Sequence, residues 1–258
     1  MNKPIGIFDS GIGGISILNR LVNLLPFEDF IYLADNKNCP YGYKSKDDIC
    51  KLSLKNCEKL IDLNCKLIIV ACNTATTNSI NELRNKISIP IIGIEPGLKP
   101  AISYTKTNKI GVLATEKTLK SKLFLETLSK NKIDNLKIYE QVGFDLVQKI
   151  ENGVKNSDEF TKILRTYLNP MIKNKIDCLI LGCTHYHFLT DIIKKIIPKK
   201  IKLIDTITPV ANNVVETIKI KKLTNKVNEQ GVINIFYNGN KIFTKYLSTK
   251  YKLNFLNF

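Results

Sequence analysis

The sequence predicts an α/β protein built from two similar parallel sheets, each covered by helices. Short runs in which almost every residue is apolar, such as IGIF (5–8) and KLIIVA (66–71), alternate with longer stretches of helical apolar spacing. Strands that are apolar on both faces are typical of parallel sheets buried between helices. The pattern then restarts at KIGVLAT (109–115), and LIIVACNT (67–74) aligns with CLILGCTH (178–185). We therefore expect an internal duplication of one α/β unit.

Strands and helices follow one another in each half of the chain. In the first half, short apolar runs predict strands at 5–8, 30–35, 66–71 and 90–96. Helical spacing between them predicts helices at 15–25, which ends before Pro26, and at 46–64 and 74–87. The second half predicts strands at 109–115, 136–141, 177–182 and 202–206. It also predicts helices at 117–131, within 145–174 and at 189–197.

The composition is that of an ordinary globular protein except for its charge. The chain has 258 residues, a formal net charge of +16 and only three arginines, Arg20, Arg84 and Arg165. Arginine is the side chain that stacks on bases and binds phosphates through two parallel hydrogen bonds. We therefore interpret the lysines as solvated surface, and expect no nucleic-acid partner. A basic protein that binds nucleic acid or an acidic partner remains an alternative, and it would show strongly salt-dependent DNA binding.

The N-terminal sequence and the seven cysteines point to a reducing compartment. The N-terminus MNKPIGIFDSG has no apolar signal core, no run is long enough to span a membrane, and the cysteine number is odd. We expect a cytoplasmic protein with reduced thiols and no membrane partner. No C-x-x-C motif occurs, and His185 and His187 near Cys183 lack a further ligand pair. The sequence therefore predicts no metal.

Two cysteines stand out because each follows a buried strand at the same place in the repeat. Cys72 ends one apolar run and Cys183 ends its counterpart. Ligands of open α/β sheets bind at the carboxyl ends of the strands, so two facing units would place a thiol on each wall of one cleft. A thiol pKa is ordinarily about 8.5, and a helix beginning directly after each cysteine would stabilise the thiolate. Such a pair can remove a proton from one face of a carbon and deliver another to the opposite face.

Polar residues beside the cysteines suggest an acidic substrate. The segment DSGIGG (9–14) follows a strand and opens a helix, so its amides are expected to favour an anion. Asp9 is interpreted either as an aid to the nearby thiol or as a helix N-cap. The turn NCPYGYKS (38–45) would line a pocket with backbone donors. His185 lies two positions after Cys183 and would act on that site.

These motifs together resemble one enzyme family. GIFDSGIGGISIL, LADNKNCPYG, ACNTATT, IIGIEPGLKPA, GVLAT and LGCTHYHFL occur in this order and span most of the chain, weakening after about residue 220. The chain closely resembles the glutamate racemases of the aspartate/glutamate racemase superfamily. The resemblance implies interconversion of L- and D-glutamate without a cofactor, in supply of cell-wall precursors, by a protein that is commonly a homodimer. It also implies two α/β domains related by pseudo-twofold symmetry, the first formed by residues 1–97 and 209–258 and the second by residues 98–208. The active site would lie between them.

The resemblance also implies roles for individual residues. Cys72 would act on D-glutamate and Cys183 on L-glutamate, assisted by Asp9 and His185 respectively. The implied substrate-binding residues are Asp9, Ser10, Pro40, Tyr41, Gly42, Asn73, Thr74, Thr118, Glu151, Thr184 and His185. The sequence departs from the family pattern at His187, where proline is usual, and at Thr206, where serine is common. These departures place fine specificity and rate in question more than the reaction.

Two other enzymatic interpretations stay open at this point. An aspartate racemase of the same superfamily would carry the same pair of thiols. A Cys–His amidase would need only Cys183 and His185, would pass through a covalent acyl intermediate, and would leave Cys72 unexplained.

Overall fold

The computed structural model describes residues 3–131, 133–153, 157–225, 229–240, 247 and 251–258. In these residues the strands form two parallel sheets. The first sheet has six strands in the order β10-β9-β2-β1-β3-β4. Its strands are β1 (Ile5–Asp9), β2 (Phe30–Ala34), β3 (Leu67–Val70), β4 (Ile91–Gly93), β9 (Ile233–Tyr237) and β10 (Lys252–Phe255).

The second sheet has four strands in the order β6-β5-β7-β8. Its strands are β5 (Lys109–Ala114), β6 (Lys137–Val142), β7 (Cys178–Gly182) and β8 (Lys202–Ile204). This order repeats the β2-β1-β3-β4 core of the first sheet, strand for strand. Both β1 and β5 are central and pair on one side with the strand that ends at a cysteine motif. The predicted α/β class is confirmed, and the common strand order agrees with the duplication inferred from the sequence.

Helices cover both sheets and make the parallel crossovers possible. The helices of the first half are α1 (Ile15–Leu24), α2 (Lys46–Asp62), α3 (Asn73–Lys86) and α4 (Leu98–Tyr104). Those that follow are α5 (Glu116–Leu119), α6 (Lys122–Lys130), α7 (Leu146–Glu151), α8 (Ser157–Lys173), α9 (Thr190–Ile196) and α10 (Ile207–Ile220). Short 3-10 helices lie at Tyr41–Tyr43 and Thr184–Leu189. No helix in the described part of the chain is both long and apolar enough to cross a membrane.

The structure differs from the sequence prediction in one helix and in the length of one strand, and it adds several elements. The single helix expected at 117–131 is two helices, α5 and α6. The hydroxyl of Ser121 accepts a hydrogen bond from the amide of Phe124 and so starts a second helix there. The expected strand at 202–206 is shorter, because Asp205 caps the amides of Ile207 and Thr208 at the start of α10. The elements α4, α10, β9 and β10 were not predicted.

The core continues from one sheet to the other. Side chains of α1, β1 and β3 belong to the same apolar cluster as those of α8, β7 and α9, among them Ile17, Ile69, Leu164, Leu181 and Ile193. All five are fully buried. The carboxyl ends of β3 and β7 are therefore held in a fixed relation by packing, and the residues that follow them can form one site.

Candidate active site

The two cysteines lie where the strand repeat places them, directly after the carboxyl ends of β3 and β7. Cys72 is the N-cap of α3, as the sequence led us to expect. Cys183 is followed by the 3-10 helix Thr184–Leu189, and the α-helix begins only at Thr190. The prediction of an α-helix immediately after Cys183 was therefore wrong. Each cysteine is only 6% exposed.

The Cys72 thiol sits among hydrogen-bonding groups of the first sheet. Its Sγ accepts from the amide of Ala75 at 3.4 Å and donates to the hydroxyl of Ser10 at 3.7 Å. Burial, together with the negative charges of Asp9 and Cys183, raises the pKa of Cys72 to about 12, although the hydrogen bond from the Ala75 amide lowers it.

Asp9 links the two halves of the site. It is fully buried at the end of β1, and its Oδ1 accepts from the amide of Gly11 at 2.9 Å. Its Oδ2 accepts from the hydroxyl of Thr184 at 3.0 Å, on the residue next to Cys183. Burial raises the pKa of Asp9 above its ordinary range, although His185 lowers it. The N-cap interpretation of Asp9 was wrong, because α1 begins later and its N-cap is Gly14.

His185 is held between a thiol and a carboxylate. Its Nδ1 lies 3.9 Å from Cys183 Sγ, and its Nε2 lies 2.5 Å from Glu151 Oε1. Burial alone would lower the pKa of His185, but hydrogen bonds to Cys183, Cys39 and Glu151 raise it well above its usual value. His185 is therefore the protonated partner of Glu151 at neutral pH.

Backbone amides of the glycine-rich segment 9–14 donate hydrogen bonds to carboxylate side chains of the protein itself. The amide of Gly11 donates to Asp9, and the amide of Ile12 donates to Glu151 Oε1 at 2.8 Å. A β-carbon on Gly11 would lie 1.8 Å from Glu151 Oε1, and one on Gly13 would lie 2.4 Å from His185 Nδ1. The anions that this segment holds are thus side chains of the site, whereas the sequence suggested a substrate anion.

Asn73 and three threonines supply polar groups beside Cys72. The side-chain amide of Asn73 is buried, and neither its nitrogen nor its oxygen has a hydrogen-bond partner among the described residues. The hydroxyl of Thr115 lies 2.9 Å from those of both Thr74 and Thr118. The sequence analysis did not identify Thr115 as a site residue. Its position directly after the carboxyl end of β5, in the motif GVLAT, was the signal that could have indicated it.

The Pro-Tyr-Gly turn closes one side of the site. The phenol of Tyr41 donates to Asp35 at 2.5 Å, so this side chain belongs to a buried network and faces the first sheet. A β-carbon on Gly42 would lie 3.1 Å from Thr115. Pro40 lines a cavity of about 630 Å³ with Cys39 and Glu151. What this turn can present to a ligand is therefore its backbone.

Two residues that the sequence singled out as departures contact each other. His187 Nε2 lies 3.0 Å from Thr206 Oγ1. The carboxylate of the neighbouring Asp205 is held by the amides of Ile207 and Thr208. Burial lowers the pKa of His187 to about 4, against the charge of Asp205. His187 is therefore neutral at physiological pH, and it does not join His185 at the Cys183 thiol.

Two α/β sheets of the same strand order, each with a buried cysteine after the equivalent strand, are an arrangement that can offer two acid/base groups to one small molecule. A sequence model of the Asp/Glu/Hydantoin racemase family matches residues 6–214. The chain is 45% identical over 215 residues to a glutamate racemase from Ralstonia pickettii, covering 83% of this chain and 76% of that one. The chain belongs to the Asp/Glu/Hydantoin racemase family.

Solved structures agree with this assignment. A glutamate racemase isoform from Bacillus anthracis is 30% identical, with a TM-score of 0.89 and coverage of 99% of this chain and 97% of that one. A glutamate racemase from Francisella tularensis, solved in complex with D-glutamate, is 30% identical, with a TM-score of 0.86 and coverage of 99% and 98%. Within the family, this chain is similar to glutamate racemases over nearly its full length.

Proposed function

We propose that the protein interconverts L-glutamate and D-glutamate without a cofactor, using Cys72 and Cys183 as its two acid/base groups. The observation that carries this proposal is the equivalent position of the two thiols. Each follows the strand that pairs with the centre of its sheet, each is buried, and each has a hydrogen-bonding partner of its own. The similarity to glutamate racemases supports the choice of substrate.

The reaction follows from two thiols on opposite faces of the α-carbon. For L-glutamate, the Cys183 thiolate takes the α-proton, and the electron pair of the C–H bond stays on the α-carbon. The Cys72 thiol then gives its proton to the opposite face, which yields D-glutamate and leaves Cys72 as the thiolate. D-glutamate reacts through the same steps with the two thiols exchanged.

Charge in the site favours the required thiolate. The protonated His185 lies beside Cys183 and stabilises a negative sulfur there. Among the residues that the structure describes, Cys72 has no cationic hydrogen-bond partner of this kind, and burial favours its protonated form. The α-ammonium group of the substrate would place a positive charge near both sulfurs and stabilise a thiolate there. The substrate thus helps to ionise the base that attacks it.

We propose that several polar residues of the site hold the amino acid. The unpartnered amide of Asn73 offers both a donor and an acceptor in a buried position, where an unmade hydrogen bond costs about 1–3 kcal/mol. We assign Ser10, Thr74, Thr118 and Thr184 to the carboxylates and the ammonium group as well. Thr115 positions two of these hydroxyls. Glu151 acts through His185, which it contacts directly.

The wider role and assembly are proposed on the same grounds. D-glutamate is a building block of bacterial peptidoglycan, so the activity would supply cell-wall synthesis. A cytoplasmic location, which the N-terminal sequence and the cysteines suggest, and a homodimer, which the resemblance implies, remain predictions. The domain division at 1–97 plus 209–258 and at 98–208 also remains a prediction, which is supported by the membership of β9 and β10 in the first sheet.

A substrate panel tests the function. Purified protein is incubated with L-glutamate, L-aspartate or L-glutamine. The loss of optical activity is followed by circular dichroism, and the release of ammonia is measured in parallel. Loss of optical activity with glutamate alone supports the proposal. Faster loss of optical activity with L-aspartate than with L-glutamate would identify an aspartate racemase. Ammonia from glutamine, with a trapped acyl-enzyme on Cys183, would identify the Cys–His amidase and overturn the proposal.

A further inference from the structure

A third cysteine, outside the proposed pair, converges on the residues beside Cys183. Ligand atoms of Cys39, His185 and Glu151 all lie within 4.8 Å of one another. The three residues come from different parts of the fold: the loop after β2, the 3-10 helix after β7, and the end of α7. The racemisation chemistry gives Cys39 no task. Its position is therefore a feature that the proposed function leaves unexplained.

The three ligand types together favour one class of metal. Thiolate, imidazole and carboxylate are the ligands of zinc, whereas magnesium and calcium take oxygen ligands almost exclusively. Zinc sites with three protein ligands leave a fourth position for water or another small ligand. Metal–ligand bonds of about 2.0–2.3 Å need only small movements of side chains that already lie this close together.

The cluster is also oriented and accessible. The amide of Ile12 donates to Glu151 at 2.8 Å and fixes its carboxylate toward His185. Cys39 and Glu151 line the cavity of about 630 Å³, and the side chain of Glu151 is 14% exposed. An ion can therefore arrive from the solvent through this cavity, and water in the cavity can complete the tetrahedral coordination.

We propose that Cys39, His185 and Glu151 form a zinc-binding site whose occupation inhibits the enzyme. Binding forms bonds from the metal to the Cys39 sulfur, a ring nitrogen of His185 and a carboxylate oxygen of Glu151, and the thiol proton and one imidazolium proton are released to solvent. Coordination fixes the His185 ring on the metal, so the ring, whose Nδ1 lies 3.9 Å from the Cys183 sulfur, is no longer free to assist that thiol. The inhibition rests on the proposed function, whereas binding of the metal does not.

Binding is tested with Zn²⁺ and Co²⁺ on the full chain, in the reduced state. The variant Cys39→Ser removes the thiol. The variant Cys50→Ser is the matched control, because Cys50 donates to the carbonyl of Asn78 in a part-buried position away from this cluster. We expect one Zn²⁺ per chain by calorimetry, and a sulfur-to-cobalt absorption band with Co²⁺, in the wild type and in Cys50→Ser. Loss of one ligand is expected to weaken binding at least about 100-fold in Cys39→Ser, since even outer-shell partners are worth 10–100-fold.

Activity provides the second measurement. Zn²⁺ is expected to inhibit racemisation reversibly in the wild type and in Cys50→Ser, with recovery on addition of a chelator. The concentration for half inhibition should rise in Cys39→Ser by the same factor as its binding constant, relative to the uninhibited rate of that variant. Equal metal binding by the wild type and Cys39→Ser would overturn the proposal, as would a cobalt band that is lost in Cys72→Ser but not in Cys39→Ser. If the protein has no racemase activity, the calorimetric and cobalt results still decide whether the site exists.

Discussion

His187 and Thr206, the two positions at which the sequence departs from the glutamate racemase pattern, lie in contact, with 3.0 Å between Nε2 and Oγ1. The two departures therefore meet in one hydrogen-bonding contact. The side chain of Thr206 is almost fully buried, and that of His187 is partly buried. Neither belongs to the proposed acid/base pair, although His187 lies two residues from His185.

A double-mutant cycle tests this pairing. Thr206→Val removes the hydroxyl and leaves the His187 nitrogen without its partner. His187→Ala removes the imidazole ring and leaves the Thr206 hydroxyl without its partner. We expect a coupling free energy of about 0.5–1.5 kcal/mol in thermal or denaturant unfolding, the usual net worth of one hydrogen bond. Thr206→Ser is the control, because it keeps the hydroxyl. A coupling energy near zero would mean that the contact contributes nothing to stability.

The chain has only two histidines, and their pKa values are expected to move in opposite directions. The pKa of His187 is lowered to about 4 by burial, and that of His185 is raised by Cys183, Cys39 and Glu151 against burial. Proton NMR titration should show one imidazole ring with a pKa well below the ordinary value and one with a pKa well above it. The signal that disappears in His187→Gln assigns the two rings. Glu151→Gln should lower the pKa of His185 and leave His187 unchanged. Two histidines that both titrate near 6.5 would contradict the described contacts.

Stability should follow the same two shifts with opposite signs. The folded pKa of His187 lies below the value of about 6.5 for an unfolded chain, so its contribution is lost as pH falls from about 6.5 to 4. The contribution of His185 is present below about pH 6.5 and is lost as pH rises through its raised pKa. His187→Gln is therefore expected to flatten the acid side of the stability profile. An unchanged acid limb in this variant would show that His187 is not buried as a neutral ring.

Loss of either thiol should abolish turnover while the fold is preserved. A serine hydroxyl is a far weaker acid than a thiol, and a single general acid or base is worth about 10²–10⁴ in rate. Cys72→Ser and Cys183→Ser are each expected to lose at least about 100-fold in kcat, with unchanged far-ultraviolet circular dichroism. Cys178→Ser is a control at a buried cysteine that lies within β7. Substantial activity in either of the first two variants would refute the two-thiol assignment.

Thr115 should be required for substrate binding although it was not predicted from the sequence. Its hydroxyl lies 2.9 Å from those of Thr74 and Thr118, and it also caps α5. Thr115→Val leaves these hydroxyls without their common partner, so KM for glutamate is expected to rise about tenfold, which equals about 1.4 kcal/mol. Thr115→Ser should retain most of the affinity. A change in kcat with an unchanged KM would show that Thr115 acts on the reaction rather than on binding.

Local patterns were sufficient to predict the fold class and the two strands that carry the cysteines. Buried parallel strands such as β3 and β7 are apolar at every position, so they are visible in the sequence alone. Strands β9 and β10 were missed because they are partly exposed, so they lack the continuous apolar run of the buried strands, and because distant segments join them to the sheet. The break at Ser121 was missed because apolar spacing continues through it, and only the capping hydroxyl marks the new start.

The site could be predicted where a residue lies next to a strand end and not where packing brings distant segments together. Asp9, Cys72 and Cys183 follow from their positions at the ends of strands. Cys39 contacts His185 and Glu151 only because the loop after β2 folds against α7, and no local motif indicates this. The environment of Glu151 was uncertain in the sequence for the same reason, and the structure places it against His185.

The central claim is that two different thiols act on opposite faces of the α-carbon, and solvent deuterium tests it most directly. L-glutamate and D-glutamate are incubated separately with the enzyme in deuterated water, and the α-position of both enantiomers is followed by NMR during the first turnovers. We predict that the product carries deuterium while the remaining substrate keeps its protium, starting from either enantiomer, because one thiol removes the proton and the other supplies a deuteron. Product that retains the substrate's own proton would show that a single group serves both faces, and would contradict the account.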